Sequence, residues 1–253
     1  MRARLALFIG MYPVYFFAEL KNKKLFETLM QFLIGNIAKQ NEPVLVIQSL
    51  ESLQNIIREP LVSDILKTNL KSFLQQLLSV FMDRKQKVYF ELIQRLVEIY
   101  HKAIAELGEP VIRDIVKLLV KRIKKEMAEL PAAEQKINII ISKCWNIIKV
   151  MVELETFVPK YLRPIEQELL TLFEFLQTPE KIEFDDDILQ VVTTFIKLSK
   201  TITPAMSRMF PIYPQYFKKH KKMLGQLFLT LNQYILHGQQ FFKENPQFIV
   251  TLI

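Results

Sequence analysis

Three histidines, one cysteine and a run of three aspartates are the residues of this chain best suited to chemistry. His101, His220 and His237 are scattered, and no HExxH or Cys/His spacing prepares a metal site. Cys144 would need a nearby base to act as a nucleophile. Its apolar run offers only Lys143, Lys149 and Trp145, so it reads as a small buried hydrophobe. Asp185, Asp186 and Asp187 adjoin a turn, where a helix start explains them better than metal or acid–base work. There are only five glycines, and the closest pair is Gly225 and Gly238. That excludes both GxGxxG and GxxxxGK phosphate loops. The expectation is a protein with no catalytic, metal or cofactor-binding residues, and not an enzyme.

Charge offers more. The chain of 253 residues carries a net +8 with a pI near 9.4, which suits contact with acidic protein, RNA or anionic lipid without choosing among them. Much of the excess lies in Lys117, Lys121, Arg122, Lys124 and Lys125, and in Lys218, Lys219, Lys221 and Lys222. Lys117, Lys121, Lys124 and Lys125 share one helix face opposite an apolar stripe, which reads first as a solvated outer face and second as an electrostatic patch. The later run resembles a nuclear localisation signal, but a charged turn between helices accounts for it. One cysteine excludes an internal disulfide framework and points to a reducing compartment.

The elements that carry these residues are helices. Half the chain is hydrophobic, glycine is scarce, and Asn-Gly or Asp-Gly hairpin signals are missing. Pro13, Pro60, Pro110, Pro159 and Pro204 recur 45 to 50 residues apart, each ahead of an apolar-periodic run. After Pro60 come Leu66, Leu70, Phe73, Leu74, Leu77 and Phe81 at three- and four-residue steps. The turn Asp83-Arg84-Lys85 follows, and then Val88, Leu92, Leu96 and Tyr100, with Gly108 placed for a left-handed cap. Proline fits the first helical turn, where an N–H has no partner to lose. A period of about 40–50 residues made of two helices predicts an all-α, right-handed α-solenoid of HEAT-like antiparallel pairs. The expected units are 13–58, 60–108, 110–155, 159–201 and a shorter 204–238, then the start of a helix at 245–253, all in one array over 1–253.

The N-terminal run Leu5 to Tyr12 follows two arginines as a signal sequence would. Pro13 and three aromatics then follow at once, without a small-x-small site, so a solenoid helix is expected and no transmembrane segment. Both ends are apolar, which leads to the expectation of a piece of a longer array, because terminal solenoid repeats need a polar outer face.

The C-terminal third is more specific. Phe184-Asp185-Asp186-Asp187-Ile188-Leu189, then Ser199-Lys200-Thr201-Ile202-Thr203-Pro204-Ala205-Met206 and Phe210-Pro211, resembles a segment of the β-karyopherins, within them the importin seven and importin eight subgroup. There an acidic helix start reads Glu-Glu-Ile-Leu, and Ser/Thr-Pro-x-Met comes one helix later. Phe157-Val158-Pro159 and Leu169-Leu170 are similar in layout. The resemblance implies a nuclear transport receptor of the cytoplasm, nucleus and nuclear pore. Such a receptor carries cargo proteins, touches Phe-Gly nucleoporins and, through N-terminal repeats outside this chain, binds Ran-GTP. No DNA partner is implied, and no single contact residue carries over. The basic charge departs from the acidic character usual in that family. A HEAT scaffold of another complex, the helical region of a large kinase and a membrane-associated helical protein are the competing readings.

Overall fold

The computed structural model of the chain describes residues 1–12, 23–37, 39, 41–129, 131, 138–154, 158–176, 185–213 and 224–250. Among them there is no strand. The helices are α1 (Arg2–Met11), α2 (Lys23–Asn36), α3 (Pro43–Ile56), α4 (Pro60–Ser79), α5 (Lys87–Glu106) and α6 (Glu109–Glu129). They continue with α7 (Ile139–Glu153), α8 (Val158–Leu176), α9 (Asp185–Ser199), α10 (Pro204–Met209), α11 (Leu224–His237), α12 (Gln239–Glu244) and α13 (Gln247–Val250).

Local chemistry sets these boundaries. Pro43, Pro60 and Pro204 are each the first residue of a helix, and Pro110 and Pro159 each the second. Asn138 Oδ1 accepts the N–H groups of Ile140 and Ile141 at 2.8 and 3.1 Å, and Thr203 accepts that of Met206 at 3.3 Å. Gly108, just past α5, has φ +90, the left-handed backbone expected of a C-terminal glycine. Helix α9 opens on Asp185, so the three aspartates do lie at a helix N-terminus. Pro13 and the Lys218–Lys222 run lie outside the described residues.

Two layers result, and they give the solenoid its form. Helices α1, α3, α5, α7, α9 and α11 pack in succession as one layer, while on the other side α2 packs on α4, α6 on α8 and α8 on α10. Pairs α2–α3, α4–α5, α6–α7 and α8–α9 join the layers. The architecture is the helix-pair solenoid that the proline spacing predicts. The N-terminal run is α1, seated on α3 through Ala6, Ile9 and Gly10. A Cβ on Gly10 would come within 2.8 Å of Ser52. No helix among the described residues is long and apolar enough to cross a membrane.

After Pro204 the first described helix is short. Helix α10 stops at Met209 and passes into a 3₁₀ turn, Phe210–Ile212. Aromatic rings cluster there. Phe210 packs against Tyr234, Phe241, Phe242 and Phe248 with ring centroids 5.0 to 5.4 Å apart.

The last carbonyls of a helix lack intrahelical partners and need donors from elsewhere. Here buried side chains of neighbouring helices supply many of them. Tyr100 donates to Ile57 O at 2.7 Å, Tyr161 to Ala105 O and Tyr234 to Met206 O at 2.6 Å each, and Tyr89 to Leu77 O. Tyr161 sits where α8 bends (φ −116, ψ 17), because the ring of Pro164 cannot fit against a straight preceding turn.

Arginine does the same work. Arg84, expected to form a plain turn, is buried and donates to Ile37 O and Lys39 O at 3.2 Å each. Arg122, which belongs to the basic cluster by sequence alone, is buried too and stands apart from the lysine face. Its side chain is 1% exposed and donates to Phe81 O, Met82 O and Arg84 O beyond the end of α4, while Glu126 pairs with it at 2.8 Å.

Candidate functional site

Among the described residues, those best suited to chemistry do not assemble. Cys144 is buried, and burial pushes its thiol up, away from thiolate. Trp145 is buried beside it. His101 lies on α5 and His237 in the last turn of α11, while His220 is outside the described residues. No group of metal-ligating side chains forms among the described residues. Asp187 pairs with Lys149 of α7 and so ties α7 to α9.

What the fold does build is a groove. Between α2 and α4 lies an open cleft of about 700 Å³, within the usual range of ligand sites (about 300–1,000 Å³). Its floor is apolar: Met30 and Phe73 are buried, and Ile34 and Ile65 half-buried. Its rims are polar, with Glu27 and Gln31 on α2 and Asp64, Thr68, Asn69 and Ser72 on α4.

Side-chain size and local bonding keep the cleft open. Gly35 faces it, and a Cβ there would meet nothing within 4 Å. Thr68 and Asn69 fold back onto their own helix, donating to Asp64 O at 2.9 Å and Ile65 O at 3.0 Å. Gln76 crosses the gap to Ile34 O at 3.0 Å and pins one end. Such a cleft can accept an apolar side chain from another polypeptide and hold its backbone by the rim amides. Gly35, inside a helical run, is the one local sign of its position in the sequence.

The basic face of α6 is the second surface. Lys117, Lys121 and Lys125 are exposed, as expected. Lys124 is partly covered: it donates to Thr171 of α8 at 3.1 Å and lies 5.6 Å over the Phe175 ring. Burial lowers its pKa, and the nearby Glu174 and Glu168 pull it back up. Arg113 pairs with Glu168 at 3.1 Å.

On the other layer, Glu91 of α5 receives Lys87 at 3.0 Å and Lys143 of α7 at 2.9 Å. Burial alone would raise the Glu91 carboxyl, but those two lysines hold it below the usual value.

The chain is 17% identical over 241 residues to a Dictyostelium discoideum protein described as a probable importin-7 homolog. The match takes in 95% of this chain and 22% of that protein. No family profile matches the chain, and no solved structure does. The similarity is distant and runs along nearly the whole chain, which spans about a fifth of that protein's length.

Proposed function

We propose that this chain is part of a nuclear transport receptor of the importin seven and eight type, working by protein binding and not by catalysis. The α2–α4 groove carries the reading. An apolar-floored cleft between successive helices of one layer suits an inserted phenylalanine, so Phe-Gly nucleoporin repeats are its proposed ligands. Cargo proteins are the proposed partners of the other layer, where α5, α7 and α9 offer a continuous surface. Ran-GTP contact is assigned to repeats beyond this chain, and the protein is expected to move between cytoplasm and nucleus. The distant similarity to an importin-7 homolog, running along 95% of the chain, supports the same reading.

The test is a binding assay with Phe-Gly nucleoporin repeats, together with Ran-GTP and Ran-GDP on the longest natural product. Binding of the repeats, and a preference of that product for Ran-GTP, are expected. Failure to bind either would sink the transport reading.

A further inference from the structure

Much of the basic face of α6 is used neither by the groove nor by the packing of the stack. At 3.6 residues per turn, Arg113, Lys117, Lys121, Lys124 and Lys125 fall within a sector of about 120°. Like charges four residues apart repel and weaken a helix. Two of the five are engaged, Arg113 with Glu168 and Lys124 with Thr171 and Phe175. Lys117, Lys121 and Lys125 are exposed and have no ion-pair partner among the described residues. They form a row with a rise of about 6 Å per step. One carboxylate, Asp114, shares the sector at its N-terminal end.

The surroundings restrict what can lie on this row. On the α8 side stand Glu168 and Glu174, both close enough to act on Lys124, so an anion reaching across both helices meets negative charge. The favourable strip is therefore one helix wide. A bilayer is far broader and calls for inserted apolar side chains, and α6 exposes no large apolar residue. Single-stranded nucleic acid calls for aromatic rings on which bases stack. The ring alongside, Phe175, is half-buried beneath the Lys124 ammonium. An acidic polypeptide has no such needs. In an extended strand, alternate side chains lie about 6.6–6.8 Å apart on one face, and in a helix residues four apart rise about 6 Å. Either backbone keeps step with the lysines.

We propose that Lys117, Lys121 and Lys125 form a docking strip for a narrow, Asp/Glu-rich segment of a partner protein. This site does not depend on the transport reading. Its test is fluorescence anisotropy of the full chain with a labelled peptide of about ten residues carrying Glu at every second position. Comparison is with the variant Lys117→Gln/Lys121→Gln/Lys125→Gln and with Lys67→Gln/Lys71→Gln/Lys85→Gln, which removes the same number of exposed lysines on α4 and in the turn after it. The α6 variant should bind roughly tenfold more weakly at low salt, with the α4 variant close to wild type and the wild-type signal falling as salt rises. Its melting temperature should stay level or rise, since like-charge repulsion is relieved. An equal loss in both variants would reduce the effect to net charge and overturn the proposal. So would absence of peptide binding. A third overturning result is single-stranded RNA, or vesicles containing phosphatidylserine, binding through the same lysines in preference to the peptide.

Discussion

The α2–α4 step and the α6–α8 step are the same kind of junction between successive helices of one layer, yet one is open and the other closed. At α6–α8 long side chains cross the gap: Arg113 reaches Glu168, Lys124 reaches Thr171, and Phe175 fills the space beneath. At α2–α4 Gly35 has no side chain, Thr68 and Asn69 are bonded back to their own helix, and Gln76 spans one end. The other layer is linked at every step. Ser52 donates to Ala6 O, Arg95 to Gln54 O and Lys143 to Glu91, Lys149 meets Asp187, and Thr193 meets Thr230. A solenoid can thus fix its spacing with one layer and leave the other to decide, by side-chain size, where a ligand site opens.

The largest expected effect comes from the anchor between the two steps. Arg122→Ala would leave carbonyls past α4 and the buried Glu126 carboxylate without their partner, a loss of about 3–5 kcal/mol. Urea unfolding should show it as a lower midpoint. Replacing the pair together, Arg122→Met with Glu126→Leu, should recover most of the loss, because no lone charge is then buried. If the double variant is as unstable as the single, the carbonyl contacts outweigh the ion pair.

Next is a pH dependence on the closed side. Glu166 of α8 accepts a hydrogen bond from Thr203, the cap of α10. Burial pushes its carboxyl up to about 7, against the Met206 N–H and Arg163. Between the ordinary carboxylate range and about 7 the folded chain holds a proton that the unfolded chain has lost. This group's contribution is thus complete at acid pH and declines as pH rises through about 7. Glu166→Gln should flatten that part of the stability–pH curve, and an unchanged curve would count against the buried acid.

A smaller effect should close the open step. Gly35→Leu places a side chain in the cleft and removes a helix glycine, a gain of about 0.5–1 kcal/mol from helix propensity. Phe-Gly binding should fall while the fold stays intact. Undiminished binding would move the ligand elsewhere. Smallest of all, Arg113→Ala with Lys124→Ala should cost no more than about 1 kcal/mol, since exposed pairs contribute little. Any Phe-Gly binding it adds would mark a second cleft at α6–α8.

The helix pairs were legible because their signals are local. Pro60 and Pro204 begin helices, Gly108 ends one, and the apolar steps of α4 and α5 are the core. The burial of Arg122 was not read from the sequence, where it was grouped with the neighbouring lysines by charge alone. Its position gives it away: Ile115, Leu119, Arg122 and Glu126 follow the three- and four-residue steps of a buried stripe, and all four are buried. Which step would open into a groove was not legible. It depends on how far apart two helices stand, which is set by contacts in the other layer and by residues that fail to fill the gap.

The linked layer has a mechanical consequence. Where one edge of a stack is held at each rung and the opposite edge is held unevenly, bending concentrates along the tied edge, as in a fan about its rivets. A side chain wedged between α2 and α4 would spread the loose edge by a few degrees, and every later repeat would swing with it. The cleft is then a place where a small insertion becomes a displacement at the far end of the array. Small-angle scattering with and without a groove-filling peptide would register it as a change in radius of gyration.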